Sequence, residues 1–294
     1  MSFVPTTARD IVKPLQFVEE GTSASTYGTT PTSPTWTAAG INVEITTDPR
    51  TVSEKIRALG SEDYADKVKT QENYAFSLKS KMLNTTLAKY GISAASGTGT
   101  IGAHLSFLFS KYIDGTENYT RMVGCKPIST TISVNRGLWE LDMTFHCQEI
   151  KDETTSGVAG STYITSIPSG SPLNHSDQAS PFTWNSVSFM DRSFSMTVTR
   201  DLALLEVNGN VLVQGARAAL RNISWSAEVY KKNTSLATDH YDAAERTFTY
   251  KIGSAETITF TEAAITSYRE SHSGSNTDAA IESLSGEAKS VAIA

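Results

Sequence analysis

The chain is poor in the residues that usually carry chemistry. Its 294 residues include two cysteines and five histidines. His104, His146, His175, His240 and His272 fall at no H-x-x-x-H spacing, and no C-x-x-C accompanies them, so the sequence gives a metal site no support. Asp239-His240 has no G-x-S-x-G or other nucleophile motif to serve. Basic residues are outnumbered, 25 Lys and Arg against 31 Asp and Glu, and the net charge of −6 argues against a general nucleic-acid binder. No apolar run approaches the roughly 20 residues of a membrane-spanning helix. The opening residues lack a basic stretch followed by an apolar one, so no secretory signal is expected. Without one, the Asn-x-Ser/Thr triplets at Asn84, Asn118, Asn174, Asn222 and Asn233 are expected products of a Ser/Thr-rich chain. Gly97-x-Gly99-x-x-Gly102 spells a dinucleotide fingerprint, but a strand-like segment follows where a helix is needed, and a loop is expected.

What is present is alternation. Trp139, Leu141, Met143, Phe145 and Cys147 interleave with Glu140, Asp142, Thr144, His146 and Gln148. Period two marks a strand with one dry face and one wet face. Asn135-Arg136-Gly137 carries turn chemistry, and Ile128, Thr130, Ile132 and Val134 before it supply an antiparallel partner. Cys125 and Cys147 fall on opposite limbs of this hairpin. A disulfide between them is conceivable; the reading taken is two buried, reduced thiols. Trp139 and Trp225 sit on apolar registers and belong to a core, which leaves Trp36 and Trp184 open to a surface role.

The same period recurs along the chain, at Ile41–Val43–Ile45, Tyr74–Phe76–Leu78, Leu105–Phe107–Phe109, Phe194–Met196–Val198 and Ile223–Trp225–Ala227–Val229. Residues 1–40 are rich in Thr, Ser, Pro and Gly and read as an extended arm anchored by Trp36. Residues 47–70 read as a long mixed-charge loop, with Arg50, Lys55, Arg57, Glu62, Asp63 and Asp66 as candidate contacts between rings or subunits. A short helix is expected at 84–91, with Asn84 before it and Gly91 after it, and a second near 240–245. Residues 151–181 read as a linker, and 200–221 as a second long connection. The order strand, long connection, strand ending in lysines, helical patch, more strands occurs twice. This echo suggests two copies of one β domain, at 41–150 and 182–294.

Three segments carry a resemblance that spans nearly the whole chain. Tyr27, Gly28 and Pro31 give an aromatic-Gly-x-x-Pro opening, residues 124–148 hold the Gly-Cys-led central hairpin, and residues 181–202 begin a second half. Together, in order and spacing, they resemble the tail tube (major tail) proteins of phages and archaeal viruses. Glu20, seven residues before Tyr27, departs from the pattern. The resemblance implies a mainly β fold, a sandwich or barrel duplicated in tandem, each copy with a short flanking helix. It implies a non-enzymatic virion protein without cofactor, made and assembled in the host cytoplasm. It also implies partners: further copies in a trimeric ring of pseudo-sixfold symmetry (or a hexamer), a tape-measure protein, tail terminator and baseplate proteins, and double-stranded DNA passing without specific binding. It implies no membrane partner. On this reading the polar registers, Glu140, Asp142, Thr144 and Gln148 with Ser224, Ser226 and Glu228, face the bore. The contrasting reading is a carbohydrate-binding β-sandwich or adhesin.

Overall fold

The structure, a computed structural model, describes residues 9–21, 25–57, 64–92, 103–113, 116–153, 158, 160–166, 168–177, 181–207, 210–253, 256–272 and 280–294. Its strands are β1 (Arg9–Gly21), β2 (Thr37–Ala38), β3 (Ile41–Arg57), β4 (Tyr64–Lys81), β5 (His104–Ile113), β6 (Thr116–Asn135), β7 (Glu140–Cys147), β8 (Glu149–Glu153), β9 (Phe182–Trp184), β10 (Val187–Phe189), β11 (Asp191–Leu205), β12 (Gly215–Tyr230), β13 (Arg246–Ile252), β14 (Glu256–Ser271) and β15 (Ile281–Ile293). Two short α-helices, α1 (Thr86–Ile92) and α2 (Ser235–Tyr241), and a 3-10 turn at His175–Asp177 complete the described elements. The protein is mainly β, as its alternation requires.

Pairing is antiparallel and follows one order twice. The first half runs β2-β1-β5-β6-β7-β4-β3. The second runs β10-β9-β13-β14-β15-β12-β11. Irregularities repeat as well. The β5–β6 register slips between Leu105 and Phe107, and the β13–β14 register slips between Arg246 and Phe248. Across from these slips Gly124 and Glu262 both take positive φ, 62° and 50°. The β6–β7 slip between Pro127 and Ser129 matches the β14–β15 slip between Ile265 and Ser267. Bulges bend a strand and raise its twist, and here they turn β6 and β14 from one layer of the fold into the other. The helices also match. Asn84 Oδ1 accepts the N–H of Thr86 at 3.0 Å, as Asn233 Oδ1 accepts that of Ser235 at 3.0 Å. Leu87 and Leu236 then enter the core.

The halves join where residues 129–135 of β6 pair with residues 193–199 of β11. One layer is therefore a continuous eight-strand wall, β3-β4-β7-β6-β11-β12-β15-β14. The other layer consists of β1, β5 and the start of β6, and of β9, β13 and the start of β14. Aromatic rings fill the space between. Phe107 meets Phe76 and Phe145, each at 4.9 Å between centroids; Phe248 meets Trp225 at 4.7 Å and Phe260 at 4.1 Å. Trp139, Phe145, Phe194 and Tyr250 are almost wholly buried. Burying such a side chain stabilises by about 1.5–3 kcal/mol.

Several expectations are corrected. Residues 9–21 are a strand, because Leu15 and Phe17 are buried in the core and β1 pairs along β5. Removing residues 1–20 would therefore extract a core strand. Residues 1–8 lie outside the described residues. Trp36 reaches no second surface; it is buried with Leu108 and Tyr119 and stacks on Tyr163 at 6.0 Å. Trp184 is buried too. The described parts of the 47–70 loop, residues 47–57 and 64–70, lie in the two strands of a ribbon, paired from Thr47↔Phe76 to Arg57↔Tyr64. Its backbone ladder forms without apolar alternation, which hid it. Arg50, Lys55, Arg57 and Asp66 fall on its strands; Glu62 and Asp63 lie outside the described residues. Residues 200–221 likewise include extensions of β11 and β12. The second helix begins at Ser235, earlier than expected. Gly91 lies inside α1, where an added Cβ would overlap the Thr130 hydroxyl. The linker contributes β8, and Leu173 is pinned by its N–H to Met82 O at 2.8 Å. The Gly97–Gly102 motif lies outside the described residues.

Candidate assembly surface

Cross-strand register fixes which side chains share the wall's outer face. Glu140, Asp142 and Thr144 of β7 stand opposite Lys81, Lys79 and Ser77 of β4 on one side. On the other side they oppose Ser133, Thr131 and Ser129 of β6. Ser133, Thr131 and Ser129 oppose Ser195, Thr197 and Thr199 of β11, and Ser224, Ser226 and Glu228 of β12 follow. Ser285 and Ser283 of β15, then Ser267 and Arg269 of β14, extend the row. Hydroxyls thus dominate a surface that crosses both halves. Thr131 and Thr197 bond hydroxyl to hydroxyl at 2.9 Å across the joint.

The expected polar residues are brought together, with two exceptions. Gln148 leaves this face; its Nε2 donates to Val213 O at 2.9 Å. The end of the β11–β12 hairpin folds over that part of the sheet, with Glu72 N–H donating to Val211 O at 2.9 Å and Lys126 Nζ to Ala216 O at 2.7 Å. His146, on the register of Glu140, is buried there with neither ring nitrogen hydrogen-bonded. The acidic character is also smaller than the β7 sequence suggests. Glu140 forms ion pairs with Lys81 and with Lys79, the latter at 3.6 Å. The hydrogen bond from Lys81 holds the Glu140 carboxyl below its usual range, against a smaller opposing effect of burial. Sequence alternation on β7 could not disclose these lysines, since they come from β4, about sixty residues earlier.

The wall has two ends. Among the described residues β3 pairs only with β4, and residues 264–271 of β14 pair only with β15. In the shared strand order β3 is the counterpart of β11, and β14 of β6. The two strands that are joined inside the chain therefore have counterparts that stand as its open edges. Pro49 lies within β3, and its missing N–H removes one donor from the strand's ladder.

Buried polar groups hold the shape. Glu20 accepts N–H groups of Gly28 and Gly124, both at 2.9 Å, and the Ser106 hydroxyl at 2.5 Å. Burial pushes its carboxyl up, and these bonds oppose the shift. Cys125 and Cys147 are free, buried thiols. Burial pushes both upward. Arg200 donates to the α1 carbonyls of Gly91 at 2.7 Å and Ile92 at 3.1 Å, and Arg221 to that of Ile92 at 2.7 Å. All four tryptophans are buried. Among the described residues no group of three His, Cys, Asp or Glu side chains is placed to hold a metal ion, and no helix is long and apolar enough to cross a membrane. Compared with known proteins, the chain matches no family model and no curated protein.

Proposed function

We propose that this chain is a structural protein that assembles head to tail into closed rings, and that the rings stack as a hollow tube, as in the tail tube proteins it resembles. One observation carries the reading: the β6–β11 joint within the chain has open counterparts at β14 and β3. A second copy that sets its β3 beside β14 repeats a joint the sequence already makes. Unpaired edges are templates for association, and closure removes them. Two repeats per chain give a ring of three copies pseudo-sixfold symmetry, with the hexamer as the alternative. The hydroxyl-rich wall then lines the bore, where double-stranded DNA passes. DNA carries one charge per roughly 1.7 Å of axis, and a basic wall would retain it through counterion release. A wall of Ser and Thr, with Lys79 and Lys81 set against Glu140 and Asp142, avoids that. The tape-measure protein, tail terminator and baseplate proteins are the partners of such a tube in the virion tail, after assembly in the host cytoplasm.

Electron microscopy with mass measurement of the purified protein tests the reading: rings or filaments of three copies per layer are expected. A monomer at every concentration and salt overturns it, and six copies per layer overturns the trimer. The variant carrying Glu140→Lys and Asp142→Lys leaves the core untouched and places four lysines together on the wall. It should assemble and slow DNA passage; normal passage would remove these residues from the bore. The carbohydrate-binding alternative loses its motive, because no tryptophan is exposed as a stacking platform.

A further inference from the structure

The within-chain joint also specifies the register of the joint between copies, and this inference rests on the assembly reading above. Thr47 stands opposite Phe76 as Met196 stands opposite Trp225, so β3 and β11 align at these positions. Tyr268 stands opposite Leu284 as Thr130 stands opposite Met143, so β14 and β6 align there. Within the chain Ser195 pairs with Ser133 and Thr197 with Thr131. The counterparts are Thr46 with Ser271, and Asp48 with Arg269.

We infer that Asp48 of one copy pairs with Arg269 of the next, and that this ion pair sets the register and direction of ring closure. Both residues belong to the outer-face register, Asp48 in line with Thr46 and Arg269 in line with Ser267. Within the chain the same place is held by two neutral hydroxyls, Thr131 and Thr197. The joint between copies therefore differs chemically from the joint within a copy. Opposite charges directly across an antiparallel pair stabilise it, and like charges destabilise it. A one-residue slip would put Asp48 on the opposite face from Arg269.

Charge reversal tests this directly. Asp48→Arg alone and Arg269→Asp alone should each raise the concentration for half-assembly by about tenfold or more. The chain carrying both reversals should recover assembly, and in a mixture it should form rings separate from those of the unaltered chain. Rising salt should weaken the unaltered rings as the pair is screened. A second pair of variants fixes the register independently of charge. Thr46→Cys with Ser271→Cys should give disulfide-linked copies on oxidation, and Thr46→Cys with Ser267→Cys should not. If the unaltered chain forms no rings, the assembly reading itself falls and this inference with it. If rings form but both single reversals assemble normally, or the Ser267 pair crosslinks in preference, the proposed register is wrong.

Discussion

The two halves share their strand order and their bulges and differ in what fills them. In the first half Phe76 and Phe145 stack at 4.7 Å with planes 8° apart. The corresponding cross-strand place in the second half pairs Trp225 with Gly286. An added Cβ at Gly286 would overlap the Ala264 carbonyl oxygen and the Trp225 indole. A large ring over a glycine thus occupies the space of two medium rings. Backbone pairing constrains the fold more tightly than side-chain identity does, since packing accepts different pieces of similar total volume.

The largest expected effect breaks the first half at its stack. Phe145→Ala removes a fully buried ring and should cost about 3–5 kcal/mol, read from denaturant unfolding. Gly286→Ala breaks the second half by the opposite change, overpacking, at about 1–3 kcal/mol. Combining it with Trp225→Phe should restore less than half of that loss, because the Ala264 carbonyl remains in the way; full recovery would show that the ring alone excludes the methyl.

The joint offers a sharper comparison. Arg200 and Arg221 are paired across β11–β12 and grip the end of α1. Thr51 and Glu72 are paired at the corresponding place on β3–β4. Arg200→Met should cost about 1.5–3 kcal/mol through lost charge-assisted bonds. In the proposed ring the joint between copies would lack this grip, so dilute urea should separate copies before either half unfolds, visible as a fall in mass that precedes loss of tryptophan burial.

Acid should act mainly on the first half. Burial lowers His146, and burial with Lys126 nearby lowers His104. Their folded-state values lie below the ordinary 6.5. As pH falls through 6.5 the unfolded chain binds protons first, so stability present above that value is lost below it. The slope is up to about 1.4 kcal/mol per pH unit for each histidine. His146→Leu should flatten this acid limb; an unchanged limb would place the effect elsewhere. The smallest change is Glu140→Gln. Its ion pairs are partly exposed, so about 0–1 kcal/mol is expected, and less in high salt.

Much of this was legible in the chain. Strict alternation marked the buried faces of β4, β6, β7, β11 and β12, because a strand with one face in a core must place apolar residues at every second position. The Asn-Thr-Ser/Thr-Leu-Ala signals before both helices were readable too, although only the first was placed correctly. Residues 43–50 echo residues 195–202 at a register a few residues off the structural one, since composition repeats more loosely than hydrogen bonding.

The sequence by itself determined the mainly β fold, the hydroxyl-rich register and the central hairpin, all of them local and periodic properties. Tertiary structure alone decided the rest. It made residues 9–21 a core strand and residues 47–57 and 64–70 the strands of a ribbon, because a backbone ladder needs a neighbour rather than a pattern. It set Lys79 and Lys81 against Glu140, and drew Gln148 away to the Val213 carbonyl. It also joined β6 to β11 and left β14 and β3 at the ends. Those outcomes depend on which distant strands lie side by side, and that information is carried by the packing of the whole chain rather than by any one stretch of it.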